Sequence, residues 1–241
     1  MGLAQSFNNA VHQQLASYAA WMPIVNTFKI GEYGVFKDGI FNSQGNLKDK
    51  YPDINLVVEK GPPADIDFLS SGTKKFKFDV NGNSIPTFAG LGGANASLKI
   101  VFENADSSMI KAKLSVEVLK NIDEVGTALA NKDNWQNKFS VVSKVYTGEN
   151  CVVICSKEAG TEIEIKADAN LLQQIEAGKV TGEVDFTSNR DSTFKAIGET
   201  GVLALGLFKL NIFNNVKVLS LNKGEHFDIV DIKGDEIEDD Y

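Results

Sequence analysis

Residues 137–156 read NKFSVVSKVYTGENCVVICS. The segment 139–146 is rich in β-branched and aromatic residues. The segment 151–155 is apolar throughout, the pattern of a strand covered on both faces. Thr147-Gly148-Glu149-Asn150 between them reads as a turn. These residues therefore predict two strands at the centre of the core.

Working back from this stretch, residues 122–135 carry a helical stripe of Ile122, Val125 and Leu129. Asn121 is placed to cap it, and Asp123 and Glu124 suit the amino-terminal dipole. Residues 97–102 alternate through Leu98, Ile100 and Phe102, and residues 111–118 through Ala112, Leu114, Val116 and Val118. These two are expected to pair as a long hairpin. Residues 83–96 are rich in glycine and small side chains and read as a connection. Residues 74–80 place Phe76, Phe78 and Val80 on one face, with Asn81-Gly82 following as a turn signal. Residues 27–30, 33–36 and 54–59 are further short strand candidates.

The amino-terminal part reads differently. Over residues 5–22, Phe7, Val11, Leu15, Tyr18 and Met22 recur at the spacing of one helix face, and Pro23 stops the pattern. The opposite face carries Asn8, Asn9, His12, Gln13 and Ser17, with no charge anywhere on the helix. Two readings stay open. The helix lies on a sheet, or it binds a lipid interface with Trp21 at its edge.

On the carboxy-terminal side, residues 162–166 alternate through Ile163 and Ile165, a short helix covers 169–177, and 182–187 and 193–197 read as strands. The apolar run 201–213 is read as a buried strand in preference to a helix. The last eight residues, GDEIEDDY, contain five acids and read as a solvated tail. The expected organisation is one α+β domain over 1–222, a large mainly antiparallel sheet with an amino-terminal helix and a few short ones, and an acidic tail over 223–241.

Composition limits the chemistry. The chain has 241 residues, 43% hydrophobic and 23% charged, with a net charge of -8. Arg190 is the only arginine. Bidentate clamps on phosphate or guanine are therefore nearly excluded, and no nucleic-acid partner is expected. Cys151 and Cys155 lie four residues apart in a strand, about 13 Å, too far to bridge; free thiols suggest a reducing compartment. No signal peptide and no transmembrane helix is expected.

Proton carriers are scarce. His12 and His226 stand beside no serine, cysteine or paired acid in a catalytic spacing, and both read as surface residues. Asp65 and Asp67, near Pro62-Pro63, read as solvated loop acids. Asp79-Val80-Asn81-Gly82-Asn83 imitates the start of a calcium loop, but Ser84 and Gly90 stand where glycine and glutamate are required. The glycines of residues 89–93 lack the lysine of a phosphate loop. Ser71-Gly72-Thr73-Lys74 lacks the companion motifs of the penicillin-binding enzymes. No enzyme activity, metal or cofactor is expected.

The order of elements resembles the amino-terminal, pore-forming domain of the gasdermins over about residues 1–213. The resemblance rests on GLAQSFNNAVHQQLASY (2–18), GNLKDKYPDINLVVEKG (45–61), the expected hairpin within 94–119, residues 137–156, and GETGVLALGLFKLNI (198–212). It implies a cytoplasmic protein, held soluble by a tail or an inhibitory partner, that becomes membrane-associated when active and oligomerises into a pore. The first helix would then meet lipid through Phe7, Val11, Leu15, Tyr18 and Trp21. The alternating segments with Leu98, Ile100, Phe102, Leu114, Val116, Val118, Ile163 and Ile165 would insert. The chain departs from the family pattern in its uncharged first helix, so the attraction to acidic lipid that lysines would supply is missing. The alternative is a soluble, non-enzymatic binding protein on a similar fold.

Overall fold

A computed structural model describes residues 2–211 and 215–219. The chain opens with α1 (Leu3–Leu15) and β1 (Tyr18–Ala19), followed by β2 (Glu32–Lys37), β3 (Ile40–Asn46), α2 (Leu47–Lys50) and β4 (Val58–Lys60). Next come β5 (Ala64–Leu69), β6 (Thr73–Phe78), β7 (Asn95–Phe102), β8 (Ser107–Leu119) and α3 (Ile122–Ala130). The remaining elements are β9 (Ser140–Ser156), β10 (Thr161–Asp168), α4 (Ala169–Ala177), β11 (Asp185–Ser188), β12 (Thr193–Leu210) and β13 (Val216–Leu219). The α+β class and the antiparallel sheet are as expected.

Nine strands form one sheet and four form a second, in the order β11-β10-β7-β6. In the large sheet, β9 is flanked by β12 on one edge and by β8 and then β2 on the other. One face of β8 and β9, with Ile110, Leu114, Cys151 and Val153, packs against Phe7 and Val11 of α1. The other face, with Met109, Val152 and Ile154, packs against Leu98, Ile100, Ile163 and Ile165 of the small sheet and against α4. The large sheet is thus the middle layer of three, which is why residues 151–155 are apolar on both sides.

Several expectations are corrected. The tetrapeptide 147–150 is no turn; β9 runs straight through it. Its neighbours pair across the stretch, with Gly201 opposite Gly148 on β12 and Leu114 opposite Gly148 on β8. Register shifts in both ladders absorb an irregularity near Asn150, whose φ is 51°, as a β-bulge does. On β12 the segments 193–197 and 201–210 likewise fuse into one strand of 18 residues. Residues 212–213 of that run, His226 and the acidic tail lie outside the described residues.

The expected hairpin of 97–102 with 111–118 does not form. β7 pairs with β6 and β10, whereas β8 pairs with β4, β5 and β9. The four residues between them carry the chain from one sheet to the other. Asp106 takes the left-handed conformation with φ 53°, and Asn104 donates to the Ser71 carbonyl at 2.9 Å. The apolar face of β7 therefore packs across the layer against Met109, Val152 and Ile154, while Ala112, Leu114, Val116 and Val118 of β8 face α1.

The inward face of β6 is also inverted. Phe76 is 42% exposed and Val80 66%, while Lys75 and Lys77 lie in register with Ile100 and Leu98 on the inner face. The Asn81-Gly82 turn forms as expected. Asp79 Oδ1 accepts the N–H groups of Asn81 and Asn83, each at 2.9 Å, a local use of the carboxylate that accounts for the calcium-loop imitation. Residues 27–30 form no strand. β3 and β5 were not expected, and β5 converts the supposed loop acids Asp65 and Asp67 into strand residues. Asn121 precedes α3 but makes no side-chain cap; its Oδ1 accepts the Val57 N–H at 3.0 Å instead.

Candidate functional site

The contact residues named from the sequence divide between two places. The first is α1 and the segment after it. α1 ends at Leu15, where Ala16 adopts φ 49°, and Tyr18 belongs to β1, paired with Leu205 of β12. The helix is therefore shorter than expected, and Tyr18 and Trp21 are not on its face. Phe7 and Val11 are fully buried and Tyr18 is buried. The Trp21 ring lies tilted against Phe7, 5.6 Å between centroids, and Leu15 is half-buried.

Burial extends onto the polar face as well. Asn8 is fully buried, and its Oδ1 accepts the Ala19 N–H at 2.9 Å. That bond ties the helix to the strand that follows. Asn8 Nδ2 has no hydrogen-bond partner, an uncompensated cost of seating the helix here. His12 is half-buried, its Nδ1 3.2 Å from the Ser17 carbonyl and its ring 5.7 Å from that of Tyr18. Burial pushes its imidazole below the ordinary value. The solvated reading of His12 is corrected accordingly.

What remains exposed after α1 is the loop around Trp21, with Met22 45% and Val25 60% exposed. Gly201 makes its approach to β12 possible. A Cβ there would sit 2.0 Å from the Ile24 carbonyl oxygen.

The second place is the small sheet. Leu98, Ile100, Phe102, Ile163 and Ile165 are all fully buried and meet in one apolar seam. Leu114, Val116 and Val118 face the other way, toward α1. The outer face of the small sheet carries Lys99, Glu162 and Glu164, with Lys99 Nζ 2.7 Å from Glu162 Oε2. These residues line a shallow open depression of about 390 Å³ with Thr187, Ser188 and Asn189. Lys99 and Glu162 pair with each other, while Glu164, Ser188 and Asn189 bond Lys166, Thr193 and Gly160 beside it.

Sequence reasoning missed a cluster of charge between the sheets. Lys111 Nζ lies 2.6 Å from Asp67 Oδ2, and Lys77 Nζ lies 2.8 Å from Glu176 Oε1. Its only trace in the sequence is the alternation of β6 itself, which puts lysine on every second position.

Among the described residues, no group of three or more His, Cys, Asp or Glu side chains is placed to hold a metal ion. Both cysteines are free and buried. Burial pushes the Cys151 thiol up to about 12, and it pushes Cys155 up as well. Neither is activated as a nucleophile. No helix among the described residues is long and apolar enough to cross a membrane.

No protein-family model matches the sequence. No curated protein matches it. Among solved structures, the chain is similar to the cryo-EM structure of the Gasdermin A3 membrane pore, at 10% sequence identity and a TM-score of 0.36, over 94% of this chain and 98% of that one.

Proposed function

We propose that this chain is a gasdermin-like membrane-permeabilising effector held in a soluble state, and that the small sheet, not α1, is the part that enters the membrane. The supporting observation is the two-faced character of β7 and β10. One face is a continuous apolar row, and the other carries Lys99, Glu162, Glu164 and Lys166. A strand that spans a bilayer needs that alternation over about 9–11 residues. β7 and β10 have 8 residues each, and β10 gains length if α4 extends. Open sheet edges are not tolerated in hydrocarbon, so insertion requires several copies to close a ring. A tail or an inhibitory partner protein would hold the soluble state.

The test is dye release from vesicles of neutral and of anionic lipid, with the full chain and with a chain truncated after Leu221. Release that rises with protein concentration is expected. No release from either vesicle at micromolar protein would sink the proposal.

A second reading, a soluble binding protein, is favoured by a different observation. Most of the apolar face of α1 is covered by β1, β5 and β8, and the helix carries no charge to draw it to acidic lipid. On that reading the exposed Met22 and Val25 would be the contact surface.

A further inference from the structure

At the end of α2 an ammonium group is enclosed by aromatic rings. Lys50, the last residue of that helix, places its Nζ 4.8 Å from the centroid of Tyr33, 5.4 Å from that of Tyr51 and 5.6 Å from that of Phe139. At such distances the ring quadrupole attracts a cation. None of the ion pairs among the described residues includes Lys50 or Lys138. Three rings, and no carboxylate, therefore hold the Lys50 charge.

The rings are fixed from separate elements. Tyr33 lies on β2, Tyr51 directly follows α2, and Phe139 directly precedes β9. Trp135 braces two of them, edge to face with Tyr33 at 5.7 Å and with Phe139 at 5.5 Å between centroids. The Tyr51 hydroxyl donates to Asn134 Oδ1 at 2.7 Å, which holds that ring in place. Tyr33 and Tyr51 are buried, whereas Lys50 and Phe139 are half-buried, so the seat opens to solvent on the Lys50 side. Two more ammoniums stand at its rim, Lys132 at 5.3 Å from the Tyr51 centroid and Lys138 at 5.9 Å from that of Phe139. Lys132 is paired with Asp53 at 2.7 Å. A shallow depression of about 290 Å³, which Lys132 and Trp135 help to line, gives a small ligand room beside the rings.

We infer that this seat binds phosphocholine, the quaternary ammonium replacing the Lys50 ammonium among Tyr33, Tyr51 and Phe139, and the phosphate falling to Lys138 and the displaced Lys50. A primary ammonium is strongly hydrated and carries three N–H donors, which ring faces satisfy poorly. A quaternary ammonium has no donor to satisfy, and aromatic cages recognise it for that reason. The exchange returns the Lys50 donors to water and to the phosphate. Asp53 is already neutralised by Lys132, so the rim stays positive and suits a phosphate. A zwitterionic ligand also fits a chain of net charge -8 whose first helix has no lysine for acidic lipid. That the phosphocholine is a lipid headgroup rests on the function proposed above; the seat itself does not.

The experiment uses the full chain with Trp21→Phe, which leaves Trp135 as the only tryptophan, so that its fluorescence reports on the seat. Choline and phosphocholine should both shift the emission, and phosphoethanolamine should bind at least about fivefold more weakly than phosphocholine. Lys50→Met vacates the seat and should tighten choline binding at least about threefold, whereas Phe139→Leu should weaken it at least about fivefold. Lys138→Met should weaken phosphocholine and leave choline unchanged. No response to choline, a choline affinity that Lys50→Met leaves unchanged or lowers, or equal binding of phosphocholine and phosphoethanolamine would overturn the seat. Lys50→Met keeps every ring, so the test stands even if Phe139→Leu fails to fold. Sedimentation with vesicles separates the sources of the ligand. Binding to phosphatidylcholine and not to phosphatidylglycerol, competed away by free phosphocholine, is the expected result. A response to free phosphocholine without vesicle binding would overturn the headgroup assignment and leave a site for a soluble ligand. Vesicle binding without dye release would sink the pore-forming reading and leave the seat standing.

Discussion

β9 and β6 show how similar runs of strand-forming residues can be used in opposite ways. β9 has 17 residues, a neighbour along each edge and a packed layer on each face. β6 has six residues, stands at the end of the small sheet, turns Phe76 outward and holds Lys75 and Lys77 inside. Burial of apolar surface fixes β9, whereas β6 is held by its ladder to β7 and by ion pairs from Lys77, and more distantly Lys75, to a single carboxylate on α4. The strength of the first is insensitive to pH and salt over the ordinary range. That of the ion pairs falls with salt.

Substitutions in the layers around β9 sharpen this contrast most. Phe7→Ala should lower the unfolding free energy by about 3–5 kcal/mol, and Ile154→Ala by about 2–5 kcal/mol, in urea melts. Phe76→Ala should cost less than about 0.5 kcal/mol. Equal losses at Phe76 and Ile154 would erase the distinction between the strands, and an unchanged melt for Phe7→Ala would return α1 to the role of a free lipid-binding helix. Asn8→Ala should cost about 1–3 kcal/mol, because it leaves the Ala19 N–H buried without an acceptor. A neutral result there would mean that α1 and β1 are not coupled through that bond.

The thiols give a pH test of the same middle layer. With its folded value raised to about 12, the contribution of Cys151 to stability is fully present below the ordinary thiol value of 9.0. It is lost as pH climbs from there toward about 12. Native protein at mild alkaline pH should resist alkylation until it is unfolded. Rapid labelling of the native chain would show that this layer opens locally. The smallest effect expected is at the Asn81-Gly82 turn. Asp79 is held below the ordinary carboxylate range, first by the Asn83 side chain and then by the Asn83 backbone. Its contribution is therefore present above the unfolded value and is lost as pH falls through the folded one. Asp79→Asn should therefore lower stability slightly at neutral pH and flatten the acid limb of the stability curve, with no change at the acid extreme.

The class of fold and the buried centre were legible because apolar content and alternation report how many faces of a strand are covered. The run Cys151-Val152-Val153-Ile154-Cys155 announced a strand with layers on both sides, and it has them. Alternation does not report which strand is the partner. Residues 97–102 and 111–118 alternate equally well as a hairpin or as strands of two different sheets. The choice is made by four residues whose left-handed Asp106 and bonded Asn104 send the chain across. The turn residues at 147–150 misled for a related reason: two long neighbouring strands hold them in the ladder, and local preference gives way. The inward lysines of β6 were hidden because their partner is Glu176, about 100 residues from Lys75. Without that carboxylate the phenylalanines of β6 are the natural inner face.

The most direct test of the account is hydrogen exchange on the intact protein with and without lipid vesicles. The account predicts that vesicles strip protection from α4, raise it in β7 and β10, whose amides pair within the closed ring, and leave β8, β9 and β12 unchanged. Protection that is unchanged by vesicles, or lost first from α1 with the small sheet intact, would contradict it.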